Sequence, residues 1–120
     1  MQHNAKSIRP FIGAEDFTLS RQFYLDLGFK EKWVSDNMIL FATDGIGFYL
    51  QDYYVKDWVD NSMIFLEVDD VERHFNELLA LDLHHKYNGV RLSEIHENDW
   101  GREVFMHDPS GVLWHFGEFY

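Results

Sequence analysis

The chain has 120 residues, 46% of them hydrophobic, and carries 21 acidic against 10 basic side chains, for a formal net charge of −11. This charge predicts repulsion from nucleic acid and from anionic membrane surfaces, and it favours a cationic ligand unless the acidity only maintains solubility. The chain has no cysteine, no apolar run of transmembrane length and no recognisable signal peptide, so we expect a cytoplasmic protein without disulfides or membrane contacts.

The first half of the chain predicts a strand, a helix and then further strands. A short apolar strand ends in acidic residues, and the helix after it has Asp16 or Thr18 as its N-cap. Apolar residues at 19, 23 and 27 keep helical spacing, and Gly28 ends the helix. Residues 41–50 then have the plan of two strands joined by a tight turn.

The second half repeats this order. A short apolar strand ends at Asp69-Asp70, and the helix that follows is expected to bury positions 71, 75, 78 and 79. Residues 100–116 predict a strand, a tight turn and another strand, because Asp108-Pro109-Ser110-Gly111 favours a turn between two apolar and aromatic segments. Each half therefore predicts one strand-helix-strand-strand-strand module, and the whole chain predicts an α+β fold.

The segment between the halves, from Asp52 to Asn61, has no obvious pattern and is interpreted as a linker. We place module one at about 7–52, the linker at about 53–61 and module two at about 62–119. Residues 1–120 are treated as one domain, since a chain of this length and apolar content suits a single hydrophobic core.

These segments resemble the vicinal oxygen chelate superfamily, which includes glyoxalase I, extradiol dioxygenases, and fosfomycin- and bleomycin-resistance proteins. The resemblance is greatest to the bleomycin-resistance subgroup. Residues 10–16 resemble its first strand, residues 20–29 its helix with the Leu-Gly-Phe exit, and residues 100–116 its segment from Trp-Gly-Arg-Glu to His-Phe. The resemblance implies two tandem βαβββ modules whose curved mixed sheets enclose a cleft.

The resemblance also identifies the positions that hold a metal ion in metal-using relatives. Those positions fall on Arg9, Tyr49, Met63 and His115. Only His115 is an ordinary ligand, because a guanidinium repels a cation, a thioether is soft, and a tyrosine ligates poorly unless ionised. We therefore expect no metal and no other cofactor, and we assign no catalytic residue, although the sequence leaves open whether the protein is an enzyme.

The other histidines are interpreted as structural or surface residues. His84 and His85 are adjacent and would point to opposite faces of a strand, while His74 lies on a helix among solvated residues. His115 is different, since strand alternation places it on the cleft side. It would either line the cleft through a hydrogen bond or contact a ligand, and the sequence identifies no carboxylate partner for it.

Aromatic residues supply the remaining site candidates, because flat ligands stack on aromatic rings and cations bind their faces. Alternation from Met63 places Phe65 on the cleft side and turns Trp114 towards the helices as core. Trp100 lies in the loop that bleomycin-binding relatives use at their groove, and by resemblance it stacks on the ligand unless it only covers the end of the sheet. The predicted ligand-binding residues are Trp33, Tyr49, Met63, Phe65, Trp100 and His115.

Three functions compete at this point. The resemblance favours a metal-independent binding protein that sequesters a flat small molecule, for which a positive charge would be favourable. The alternatives are a metal-dependent lyase, isomerase or dioxygenase of the same superfamily, and a domain for protein association. The resemblance further implies a homodimer with a shared cleft, in which residues 1–9 cross to the partner at Pro10. Five carboxylates could attract a basic ligand, namely Asp36, Asp60, Glu67, Asp99 and Glu103.

Overall fold

Nine strands form two mixed β-sheets, one from each half of the chain. The computed structural model describes residues 1–120. The strands are Phe11–Gly13 (β1), Lys30–Ser35 (β2), Met38–Thr43 (β3), Ile46–Gln51 (β4), Met63–Glu67 (β5), Arg91–Leu92 (β6), His96–Glu97 (β7), Gly101–His107 (β8) and Leu113–Phe119 (β9). The first sheet has the order β1-β4-β3-β2, and the second sheet has the order β5-β9-β8-β6, with β7 also paired to β8.

Four helices accompany the strands: Phe17–Asp26 (α1), Lys56–Asp60 (α2), Val71–Leu81 (α3) and Leu83–Lys86 (α4). In each half the opening strand pairs in parallel with the closing strand, β1 with β4 and β5 with β9, and the other pairs are antiparallel. The α+β architecture predicted from the two repeated halves is confirmed. None of the helices is long and apolar enough to span a bilayer.

The two long helices begin in the same way. The Asp16 carboxylate accepts a hydrogen bond from the Leu19 N–H at 3.0 Å, and the Asp70 carboxylate accepts one from the Arg73 N–H at 3.0 Å. Each cap satisfies a backbone donor that has no partner inside the helix, which stabilises the helix by about 1 kcal/mol. Of the two N-caps that the sequence allowed for α1, the structure has Asp16.

Leu79 of α3 was expected to be buried and is exposed, so that prediction was wrong. The prediction for His84-His85 was also wrong: the pair is in α4 and not in a strand, because Asp82 adopts a left-handed conformation that ends α3 and starts another helical turn. On α1 the buried residues are Ser20, Phe23 and Tyr24, while Leu19 is exposed. The segment interpreted as a linker contains α2, which buries Val59 and has an ion pair of 2.5 Å between Lys56 and Asp60.

Each sheet packs one face against the helices and leaves the other face uncovered. Trp114 and Phe116 are each 1% exposed on the helix side, which confirms the alternation predicted for this strand. The centre of the core is aromatic, with Phe23, Tyr24, Phe29, Phe41, Phe48, Trp114 and Phe116 in contact. We refer to the uncovered side of each sheet as its free face.

A buried hydrogen-bond network connects the two modules inside this core. The Tyr24 hydroxyl of α1 donates to Asp108 at 2.6 Å and accepts from the Trp114 indole N–H at 3.0 Å. Asp108 also accepts three backbone hydrogen bonds of 2.9 Å from residues 110–112, which closes the turn between β8 and β9. Burial raises the pKa of Tyr24 well above its ordinary value, and the neighbouring Asp108 raises it further, so the hydroxyl stays a donor.

We expect the Tyr24→Phe variant to lower the free energy of unfolding by about 1–3 kcal/mol, since a buried carboxylate and a buried indole each lose a partner. Urea denaturation followed by tryptophan fluorescence measures this change. The Tyr53→Phe variant is the matched control, because Tyr53 is exposed, and its effect should stay within about 0.5 kcal/mol. Equal stability of the two variants would contradict the role given to the network.

His74 is partly buried and not solvated as the sequence suggested. Its ring lies 4.6 Å from the ring of Phe116, and its Nε2 atom is buried without a hydrogen-bond partner. The error arose because α3 turns this residue towards the second sheet. Desolvation lowers the pKa of His74 below its ordinary 6.5, since a charged imidazole in this position would lose water without gaining a partner.

This shift predicts a pH dependence of stability. The unfolded chain binds a proton at His74 more readily than the folded chain, so the free energy of unfolding should fall as the pH drops below about 6.5. A His74→Gln variant should show a smaller loss between about pH 7 and pH 5 in urea titrations. The His3→Gln variant, altered in the exposed N-terminal segment, should keep the original pH dependence.

Candidate functional site

The free face of the second sheet carries a cluster of large side chains, which we call the aromatic face. Alternate positions of β5 and β9 supply part of it, β8 supplies one ring, and Trp100 precedes β8. Its members are Met63, Phe65, Trp100, Phe105, His115 and Phe119. Several are well exposed, with 66% for Met63, 44% for Phe65, 37% for Trp100 and 52% for Phe119. Uncovered apolar surface of this kind makes the aromatic face the candidate for a binding site.

Three rings of the aromatic face pack against one another. Phe65 lies 5.7 Å from Trp100 and 5.7 Å from Phe119, and Trp100 lies 5.1 Å from Phe119 between ring centroids. Gly117 makes this arrangement possible, because a Cβ atom there would lie 2.3 Å from Cζ of Phe65. The Phe65 ring therefore lies directly over the backbone of β9, and Trp100 packs on it and on Phe119.

His115 is held by a buried carboxylate on the neighbouring strand. Its Nδ1 atom lies 2.8 Å from a Glu103 oxygen, and the other oxygen of Glu103 accepts a hydrogen bond of 2.7 Å from the Asn98 amide. Because a carboxylate accepts, the N–H of the neutral imidazole lies on Nδ1. The Nε2 atom faces the free face, 3.4 Å from the Met63 sulfur.

From the sequence, Glu103 was only one of five candidate carboxylates, and no partner for His115 was predicted. The pairing of β8 with β9 sets Phe105 opposite His115 and Glu103 opposite Gly117. Glu103 is thus the diagonal neighbour of His115 on the same face, within reach of a long side chain. Aligning the two strands across the Asp108 turn would have revealed this pair.

A hollow of about 490 Å³ lies beside His115 on the same face. Phe105 and Leu113 form its apolar part, and Arg91 and His107 contribute polar atoms. Burial lowers the pKa of His107, and the charge of Arg91 lowers it further, so this imidazole is neutral near pH 7. The hollow offers space for a group that extends from the aromatic rings towards His115.

Tyr49 lies on the free face of the first sheet, away from His115. Its hydroxyl accepts a hydrogen bond of 2.9 Å from Arg9, and its ring stacks on Phe11 with centroids 4.8 Å apart. The backbone N–H of Tyr49 also donates to the Pro10 carbonyl at 2.9 Å. The N-terminal segment is therefore attached to its own chain at Arg9 and Pro10.

Trp33 is separated from the other predicted site residues. It pairs with Ile39, which is fully buried, and so faces the helices. Its ring lies 6.0 Å from Phe17, and the Arg21 guanidinium lies 5.4 Å from the Trp33 ring. The structure thus brings together Met63, Phe65, Trp100 and His115, with Tyr49 on the other sheet and Trp33 on the opposite face of that sheet.

The four positions that resemble metal ligands do not form a suitable donor set. Arg9 contacts Tyr49 on the first sheet, while Met63 contacts His115 on the second. A guanidinium bound to the Tyr49 hydroxyl places a positive charge where a cation would need a donor, and the thioether of Met63 is a soft ligand. These residues do not fit a hard divalent cation.

The carboxylate contact predicts the tautomer of His115. Neutral His115 should carry its proton on Nδ1, and nitrogen-15 NMR of the imidazole should report this form. The Glu103→Ala variant should lose the preference, because nothing else in the structure accepts from Nδ1. The Glu97→Ala variant removes a carboxylate that contacts Tyr120 instead and should leave the His115 signals unchanged.

Comparison with known proteins gives structural neighbours only. No protein-family model matches the sequence, and no curated protein matches it. A bleomycin-binding protein from Streptomyces verticillus, solved with copper(II)-bleomycin, is 21% identical with a TM-score of 0.83, over 99% of this chain and 100% of that one. An antibiotic-binding protein from a Streptomyces species is 20% identical with a TM-score of 0.72, over 98% of this chain and 100% of that one.

An enzyme has the same fold. Lactoylglutathione lyase from Agrobacterium tumefaciens is 15% identical with a TM-score of 0.71, over 96% of this chain and 95% of that one. The chain therefore has the glyoxalase/bleomycin-resistance fold, that of the vicinal oxygen chelate proteins. The resemblance seen in the sequence is confirmed at the level of the fold, over nearly the whole chain. Because one fold supports both binding and catalysis, function has to be argued from the residues of the site.

Proposed function

We propose that this protein is a metal-independent binding protein that sequesters a flat small molecule on the aromatic face, with a preference for a cationic or amphipathic ligand. The observation that carries the proposal is the exposure of Met63, Phe65, Trp100 and Phe119 together on one sheet. Two proteins of similar structure, a bleomycin-binding protein and an antibiotic-binding protein, support the proposal. For the location of the protein, we propose the cytoplasm.

Each member of the site has a distinct part in this proposal. Trp100 and Phe65 offer ring faces for stacking, and a cation would be attracted to the same faces. His115 offers Nε2 as a hydrogen-bond acceptor, because Glu103 engages its other nitrogen. Tyr49 would contribute from the first sheet. The net charge of −11 attracts a cation at long range.

Metal independence is proposed on the chemistry of the donors. Catalytic zinc sites use three protein ligands drawn from His, Cys, Asp and Glu, with one position open for water or substrate. Of the four positions at issue, only His115 belongs to that group. Arg9 and Met63 disfavour the metal-dependent lyase and dioxygenase functions.

A homodimer would complete the cleft. Within one chain, Tyr49 and His115 lie on separate sheets, and both free faces are uncovered. Residues 1–8 extend from the chain, and Ile8 is 94% exposed. We propose that the free faces of two copies together enclose the ligand and that residues 1–9 of each copy cross to the other, with Pro10 at the start of the exchange. In this exchange the hydrogen bond of Arg9 with its own Tyr49 is given up.

Replacing Trp100 by Ala should weaken ligand binding by about 1–3 kcal/mol, the scale of a buried aromatic contact. Calorimetric titration with bleomycin is the first measurement, because a protein of similar structure binds bleomycin. Higher salt should weaken the binding of a cationic ligand further. The Trp100→Ala variant should also lose some stability, since Trp100 packs on Phe65 and Phe119.

Trp58→Ala is the matched control, because Trp58 is an exposed tryptophan on α2. Trp33→Ala tests whether the helix-facing side of the first sheet contributes to binding. This variant should fold and should bind the ligand with unchanged affinity. Unchanged affinity in Trp100→Ala would refute the assigned site. Failure of bleomycin and of other cationic aromatic compounds to bind would contradict the preference for a cationic ligand and would favour a substrate of different chemistry.

Light scattering should give twice the mass of one 14.4 kDa chain at micromolar concentration. A variant that lacks residues 1–8 keeps Arg9 and Pro10 and should dissociate more readily, because most of its exchanged segment is missing. A monomeric full-length chain would contradict the shared cleft. A truncated chain that dimerises with undiminished affinity would contradict the exchange alone.

A further inference from the structure

A cluster of nitrogen and oxygen donors lies at the junction of α3 and α4, apart from the aromatic face. Asp82, His84 and His85 each direct one ligand atom into this cluster, and these atoms all lie within 4.8 Å of one another. The Asp82 carboxylate is 2.6 Å from Nδ1 of His85 and 3.6 Å from Nε2 of His84. The two imidazole rings are 4.3 Å apart.

The backbone holds the three residues in this arrangement. Asp82 has a φ of 56°, and its N–H bonds to the carbonyls of Leu78 and Leu79 at the end of α3. Its own carbonyl accepts from the His85 N–H at 3.1 Å, which begins the turn of α4. The carboxylate and the two histidines are thus brought together by one short turn of the chain.

The electrostatic environment of the Asp82, His84 and His85 cluster favours a cation. The C-terminal end of a helix carries a partial negative charge, and α3 has no basic residue in its last turn. Lys86 is the nearest basic side chain in sequence, and its ammonium contacts Asp26 at 2.6 Å. No lysine or arginine ion pair involves the Asp82 carboxylate, whose partners are His84 and His85.

We propose that Asp82, His84 and His85 form a site for one divalent transition-metal ion of the zinc type. Two imidazole nitrogens and one carboxylate oxygen are ligands that zinc and cobalt accept, and the remaining position is open to water. Ligand bonds of about 2.0–2.2 Å require the donors to surround the ion at slightly greater mutual distances than the hydrogen-bonded pair has now.

A bound ion would link the C-terminal end of α3, at Asp82, to His84 and His85 of α4. Because the folded turn holds the three ligand atoms within 4.8 Å of one another, the ion would bind the folded chain more tightly than the unfolded chain and would stabilise it by mass action. Magnesium and calcium would bind poorly, since they require oxygen ligands. This site is independent of the proposed ligand-binding function, because it shares no residue with the aromatic face.

The test is a titration of tag-free protein with Zn²⁺ by calorimetry and with Co²⁺ by visible absorption. One ion per chain should bind at micromolar concentration. The variants His84→Ala, His85→Ala and Asp82→Asn should each weaken binding by at least about 10-fold, since even outer-shell partners of a metal contribute this much. Asn tolerates the left-handed backbone of position 82, so Asp82→Asn should remain folded.

Two matched variants locate the ion. His3→Ala alters an exposed histidine elsewhere, and His115→Ala alters the aromatic face; both should bind Zn²⁺ as the parent chain does. Absence of binding at micromolar concentration, or unchanged binding in all three cluster variants, would overturn the site. Loss of binding in His115→Ala would overturn it as well, and would also count against the metal independence of the proposed function.

Discussion

The buried contact of Tyr24 with Asp108 is the constraint on which the rest of the structure depends. It joins a helix of the first module to a turn of the second, and Trp114 near the start of β9 completes it. A buried ionisable group is stable only when its hydrogen bonds are satisfied. Asp108 accepts one hydrogen bond from the Tyr24 side chain and three from the backbone. The junction lies within the one hydrophobic core that both modules share, so it holds the first helix against the second sheet.

Once that junction is fixed, alternation along the strands decides which side chains remain available for binding. Trp114 and Phe116 face inwards, so His115 between them faces outwards. The same alternation on β5 exposes Met63 and Phe65 opposite β9. Core and candidate site are therefore two faces of one sheet, and a shift of one residue in register would exchange them.

Local chemistry made much of the fold predictable from the sequence. The caps, the glycine after α1, the turn at Asp108 and the inward direction of Trp114 all depend on residues close together in the chain. The site was harder to predict, because it depends on pairing between strands. Glu103 meets His115 only through the register of β8 with β9, and Trp33 is turned away by its pairing with the buried Ile39. The helical turn at His84-His85 depends on one left-handed residue, Asp82.

Gly117 gives the aromatic face an unusual dependence on a single backbone position. The Phe65 ring occupies the space that any larger residue at 117 would need. The shape of the aromatic face thus depends on Gly117, a residue that contributes no side chain to it. Exchange of that glycine would tilt the ring and reshape the aromatic face while the hydrophobic core stayed as it is. Divergence in ligand selectivity among proteins of this fold could proceed through such a position without loss of the fold itself.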